Sequence, residues 1–162
     1  MLMKNIFILF ATLCIFFTQN IFAGSFSIFG GVYDYDDNKT STLTGINLHS
    51  STEINLFGIF NINPVGGFFV TAKSASMVYG GFDTKIGTEK IYLNPSLSTG
   101  FYNNGNGKDL GNSLQFKSEV NLFYSINEGS RVGFGSHHIS NAGLSSVNPG
   151  VNNYYLIFNQ DF

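Results

Sequence analysis

From residue 24 onward the chain alternates apolar and polar positions with a period of two, and no stretch carries the 3.6-residue period of an amphipathic helix. The segment 91–102 is the clearest. Ile91, Leu93, Leu97 and Phe101 fall on one side with Pro95 and Thr99, while Tyr92, Asn94, Ser96, Ser98, Gly100 and Tyr102 fall on the other. The same split recurs over 114–124, where Leu114, Phe116, Val120, Leu122 and Tyr124 oppose Gln115, Lys117, Glu119 and Asn121. One face of such strands suits lipid and the other a polar lumen, and their length is that of a tilted strand crossing a bilayer. Further strands are expected at 26–34, 41–49, 52–61, 77–86, 130–140 and 152–162, making eight.

The expected connections are short at 50–51, 87–89 and 126–129 and longer at 35–40, 62–76, 103–111 and 141–151. That asymmetry fits an outer-membrane barrel with turns in the periplasm and loops outside. Segment 65–75 is placed in a loop, not in a strand, because Pro64 and Gly66–Gly67 interrupt its pattern and an even strand count favours that choice. A soluble barrel such as a lipocalin needs a polar outward row, whereas each strong strand here keeps one row almost free of charge. Phe162 ends the last strand and resembles the terminal aromatic residue of bacterial outer-membrane barrels. The expected fold is all-β: an eight-stranded antiparallel transmembrane β-barrel over residues 24–162, in the bacterial outer membrane.

Composition supports this reading. Charged residues are 11% of the chain, and 19 Gly, 18 Phe and 8 Tyr suit strands and tight turns. A net charge of −2 gives no electrostatic reason for a nucleic-acid partner. Lys4, the apolar run 6–17, the polar break 18–20 and the small residue Ala23 predict a signal peptide over 1–23, cleaved after Ala23. The run is shorter than the ~20 apolar residues of a spanning helix. Cys14 lies inside this signal behind Leu13, not a small residue, so the mature chain is expected to carry neither disulfide nor thiol nucleophile.

The chemically suggestive stretch runs from His138 to Leu144 and on to Asn148-Pro149-Gly150. Residues two apart on a strand share a side, so His138 can stand beside Ser140 as base beside nucleophile. Parity puts both in the outward row with Val132, Phe134 and Ser136, and Asn152 in the outward row of the last strand with Tyr154, Leu156 and Phe158. Counting from a periplasmic turn at Ser130, the pair reaches the outer leaflet, where exposed polar side chains are functional candidates and lipid is the natural substrate. The bland reading is a pair of interfacial residues where a strand fades into a loop.

The remaining polar residues read as structural. Lys117 and Glu119 face inward as a lumen ion pair, His137 takes a lumen hydrogen bond, and His49 lies at a periplasmic strand end. Dispersed histidines give no metal site, and no cofactor is expected. Asp34, Asp36 and Asp37 are expected in a solvated loop, with a divalent-cation bridge to lipopolysaccharide phosphates as the alternative.

The residues His138-Ile139-Ser140-Asn141-Ala142-Gly143-Leu144 and Asn148-Pro149-Gly150 resemble the signature of the lipid A 3-O-deacylases. Gly107-Lys108-Asp109-Leu110-Gly111, Leu114-Gln115-Phe116 and Asn94-Pro95-Ser96-Leu97 are similar as well, so the resemblance covers about the C-terminal half. It implies an acyl-ester hydrolase acting on lipid A in the outer leaflet, with Ser140 as nucleophile, His138 as general base, and Asn141 with the backbone around Gly143 as oxyanion hole. The family's acidic triad position falls on Asn152, so the carboxylate is missing; Asp109 is a conceivable substitute. Two readings follow: an esterase removing a 3-O-linked acyl chain, or a catalytically silent structural or lipopolysaccharide-binding barrel. A porin is a poor third, because eight strands enclose a lumen that side chains fill.

Overall fold

The computed structural model describes residues 23–35, 37 and 39–162; residues 1–22 of the expected signal peptide, and Asp36, lie outside the described residues. Ten strands follow in order: β1 (Ala23–Tyr33), β2 (Ser41–Ser50), β3 (Ile54–Leu56), β4 (Phe60–Thr71), β5 (Ser76–Asp83), β6 (Ile86–Gly87), β7 (Ile91–Asn103), β8 (Leu114–Ser125), β9 (Ser130–Ser140) and β10 (Val151–Asp161). Eight are staves, paired antiparallel in the order β2-β1-β10-β9-β8-β7-β5-β4, and a β2–β4 pairing closes the barrel. The short β6 pairs only with β7, and β3 folds against the start of β4. We call the end where Ser25 meets Asp161 proximal and the other distal.

The third stave differs from the sequence expectation. Residues 52–61 were expected to cross the membrane, but they form β3, a tight turn and only the start of β4, and the crossing strand runs on through the expected loop 62–76 to Thr71. The distal connection shrinks to residues 72–75. The glycines that argued against a strand are what permits it. A Cβ on Gly67 would sit 2.4 Å from Asn47 Oδ1 and 2.7 Å from Tyr79 Cζ, so the bare backbone makes room for the lumen Tyr79 ring. Pro64 lies on the outward row opposite Phe82.

Elsewhere the alternation holds. Ile28, Ile46, Phe68, Val78, Leu97, Val120, Phe134 and Leu156 are exposed around the barrel, forming the apolar belt. Inside, Lys117 and Glu119 form a buried ion pair, and Glu119 also accepts from Asn121 Nδ2 at 3.0 Å. Tyr155 donates to Asn121 Oδ1 at 2.9 Å, Tyr79 donates to Asn47 Oδ1 at 2.5 Å, and Lys117 Nζ stands 4.4 Å from the centre of the Tyr79 ring. Phe29 and His137 pack on Tyr155 at centroid distances of 4.9 and 5.2 Å. His137 Nδ1 lies 3.5 Å from Glu119 Oε2. Burial of both charges demands such pairing, because an isolated buried charge costs several kcal/mol.

The distal end is tied across the mouth. Asp34, expected to be solvated, is 0% exposed; Lys108 from the β7–β8 connection contacts its Oδ1 at 3.1 Å and Asp37 Oδ2 at 2.7 Å. The Asp34 N–H donates to Asn153 Oδ1 at 2.9 Å, and beneath it the Tyr33 and Tyr102 hydroxyls meet at 2.6 Å. Burial alone lowers the Lys108 pKa, but the hydrogen bonds and charges of Asp37 and Asp34 outweigh it and hold the ammonium above the usual lysine value.

Candidate active site

His138 lies near the distal end of β9, opposite Asn152 of β10 and Ser118 of β8; Ser140 comes two residues later, opposite Phe116. All these side chains are on the outer surface, and His138 is exposed. The imidazole is oriented from behind, with Nδ1 2.7 Å from Asn152 Oδ1. With that amide oxygen as acceptor, the ring carries its proton on Nδ1, leaving Nε2 as a base. Among the described residues no hydrogen bond joins His138 to the Ser140 hydroxyl. Such bonds are often loose without substrate and tighten only in the reacting complex.

The loop after Ser140 is built by Asn141, which is fully buried. Its Nδ2 donates to the carbonyls of Leu110 and Val147, each at 2.7 Å, and its Oδ1 accepts the Gly143 N–H at 2.9 Å. The Asn141 N–H in turn donates to Asn148 Oδ1 at 3.0 Å. Asn141 thus spends its amide on holding two connections together and has no N–H left to aim at a substrate. Ala142 and Gly143 are both left-handed, at φ 52° and 83°. Gly150 is also left-handed, at φ 64°, and a Cβ there would stand 2.8 Å from His138 Cε1; the Asn-Pro-Gly turn ends in glycine because the imidazole lies against it. Asn148 belongs to the motif read from the sequence, but its grip on the Asn141 N–H spans seven residues and leaves no mark in a period-two pattern.

Among the described residues no acid hydrogen-bonds the His138 imidazole. Asp109 accepts the Gly111 N–H at 2.8 Å within its own loop, Glu119 is in the lumen, and Asp161 holds Arg131 at the proximal end. Below the pair, Tyr154 stacks on Phe134 at 5.9 Å and meets Tyr35 edge-on at 4.8 Å. Further down the same face, Ile28, Gly30, Val132, Leu156 and Phe158 line a shallow apolar groove of about 490 Å³.

A family model described as "Lipid A 3-O-deacylase (PagL)" matches residues 29–159. The chain belongs to this family. The lipid A 3-O-deacylase barrel thus places it in the bacterial outer membrane. Among solved structures, the chain is similar to one titled "Crystal structure of the outer membrane enzyme PagL", with 16% identity, a TM-score of 0.67, and coverage of 85% of this chain and 99% of that one. It is also similar to one titled "De novo design of transmembrane beta-barrels", with 8% identity, a TM-score of 0.53, and coverage of 86% and 96%. These likenesses speak for the fold. A search of curated proteins finds no match.

A serine–histidine–aspartate set, separate from the outward His138, sits in the lumen of this deacylase-family barrel. Ser27 Oγ is 3.0 Å from His49 Nε2, and His49 Nδ1 is 2.6 Å from Asp83 Oδ2. Ser27 is 0% exposed, and its oxygen already accepts Asn159 Nδ2 at 3.0 Å. The set therefore lacks access to a substrate and serves to satisfy buried polar groups contributed by four strands. The sequence placed His49 correctly at the strand end, but its partners come from positions 22 and 34 residues away. Among the described residues no group of three His, Cys, Asp or Glu could hold a metal ion.

Proposed function

We propose that this chain removes the 3-O-linked acyl chain of lipid A in the outer leaflet, after export by the signal peptide 1–23. The observation that carries the reading is the outward His138 imidazole, backed at 2.7 Å by Asn152 and two residues from Ser140, in a chain of the lipid A 3-O-deacylase family. Ser140 Oγ attacks the ester carbonyl carbon while His138 Nε2 takes its proton; the tetrahedral intermediate then expels the sugar oxygen, which the same imidazole protonates. Water, deprotonated by His138, attacks the acyl-serine carbonyl; the second tetrahedral intermediate expels Ser140 Oγ, which takes the proton back from the imidazolium, and the fatty acid leaves.

The oxyanion falls to the Gly143 N–H, which exchanges its Asn141 Oδ1 partner for the substrate oxygen, and Asn141 acts as a positioning residue. The released chain lies along the Tyr154/Phe134 face and the groove at Gly30. Asn152 orients the imidazole but gives the imidazolium no negative charge, and that amide also favours the second reading, a silent barrel of the same fold. A lipid-tailed fluorophosphonate tests the proposal: it labels Ser140, and Ser140→Ala or His138→Ala abolishes the adduct. Unlabelled wild type in folded, membrane-inserted form contradicts it.

A further inference from the structure

The β3–β4 hairpin at the proximal end is amphipathic. On one face Ile54 pairs with Ile62 and Leu56 with Phe60; on the other, Asn55 pairs with Asn61. The polar face is a ladder: Asn55 Nδ2 donates to Asn61 Oδ1 at 2.8 Å, and Asn61 Nδ2 to Glu53 Oε2 at 3.0 Å. At the tip, the Ile59 N–H closes a turn on the Leu56 carbonyl at 3.0 Å, with both central residues left-handed: Phe57 at φ 56° and Gly58 at φ 72°. Phe57 is 92% exposed, Ile59 72% and Phe60 61%. A bulky residue at positive φ is uncommon, and such an outlier points towards a use for the side chain it presents.

We propose that this hairpin is an anchor that inserts its apolar face into the phospholipid of the inner leaflet, at the boundary between head groups and acyl chains. Two observations select lipid as the occupant. The apolar face continues the lipid-facing row of β4: Phe60, Ile62 and Pro64 share the parity of Phe68 and Val70, which are exposed on the belt, while Val65 and Phe69 point inward. The height also fits. Ten residues from Phe60 to Val70 span ~33 Å of strand, and at a tilt of ~40° this is about 25 Å, the height of the apolar band of such barrels. Phe60 therefore marks the lower edge of the band and Phe57 lies beside it, where aromatic rings favour the interface. The polar ladder turns towards the lumen mouth, where Thr84 donates to the Asn61 carbonyl at 2.7 Å.

The chain contains no tryptophan, so Phe57→Trp makes a sole reporter, with Ile59→Trp as a second in case the first misfolds. Full-length protein is reconstituted into phosphatidylcholine vesicles carrying bromine near the glycerol or near the terminal methyl. The expected result is blue-shifted emission quenched most by the shallow bromine, unchanged on dilution with more lipid. Red emission quenched by aqueous iodide overturns the proposal, as does blue emission that bromine does not quench or that dilution abolishes; the last two assign the face to a protein partner or a second copy. A Leu97→Trp control at mid-belt is quenched by the deep bromine whenever the barrel is inserted, which separates failure of the anchor from failure of the barrel.

Discussion

The His138 imidazole is backed by an amide, with Nδ1 2.7 Å from Asn152 Oδ1. The contact orients the imidazole and sets its tautomer as a carboxylate would, while supplying no charge. In serine proteases the acid-to-amide change lowers turnover by about 10⁴, much of it through the wrong tautomer. Here the amide oxygen faces Nδ1 and that part of the loss is avoided. Asn152→Glu is therefore expected to raise turnover on a 3-O-acylated lipid A by about 10- to 1000-fold, less than the full protease effect. Single-turnover assay of the two proteins in the same micelles checks it.

Gly30 leaves the groove below the site open, and a Cβ there meets only the Leu43 carbonyl, at 3.7 Å. Gly30→Phe should fill the groove without disturbing the barrel. Because the acyl chain moves from hydrocarbon to hydrocarbon, little transfer energy is at stake and alignment of the ester is what suffers. Turnover of long-chain substrates is expected to fall about 10- to 100-fold, with short-chain esters unaffected. A chain-length series of ester substrates reads this directly.

Lys108 ties the first and third distal connections through Asp34 and Asp37. Lys108→Met leaves the buried Asp34 without its cation and is expected to destabilise the distal end by about 3 kcal/mol. The pKa of Lys108 is raised in the folded protein, so its contribution is complete below the unfolded value of about 10.5 and fades only as pH climbs through the higher folded value. The wild-type clamp should therefore hold from neutral pH to pH 9, as followed by hydrogen exchange of the 35–40 segment, with the variant exchanging faster throughout.

The lumen pair Lys117–Glu119 predicts a different pattern. Glu119→Ala strands a buried ammonium and is expected to cost about 3–5 kcal/mol, whereas Lys117→Met with Glu119→Leu removes both charges and costs much less. Urea unfolding in lipid vesicles of the singles and the double distinguishes this from independent, additive losses.

Much of this architecture is legible in the sequence because one physical cause dominates it: a lipid outside and a packed polar lumen force strict alternation. That is why 91–102, 114–124, 130–140 and 152–162 coincide with β7 to β10 to within about a residue or two at either end, and why His138, Ser140 and Asn152 were placed outward. The third stave failed on the same logic. Residues 54–56 and 60–62 alternate as strands should, yet they pair with each other as the hairpin, while Gly66–Gly67 weaken the pattern of the true crossing strand to make room for Tyr79. The burial of Asp34 and the Ser27–His49–Asp83 set depend on partners tens of residues away in the chain, and the Asn141 hub on side-chain bonds across its own loop and to Leu110, none of which periodicity can register.

Mass spectrometry of lipid A from a host expressing the wild type, beside Ser140→Ala and Asn152→Glu, tests the account most directly. It predicts loss of one 3-O-linked acyl chain with the wild type, none with Ser140→Ala, and more complete loss with Asn152→Glu. Intact lipid A in cells with folded wild-type barrel in the outer membrane contradicts it, even if Asn152→Glu gains activity, because that outcome describes a scaffold silenced at Asn152.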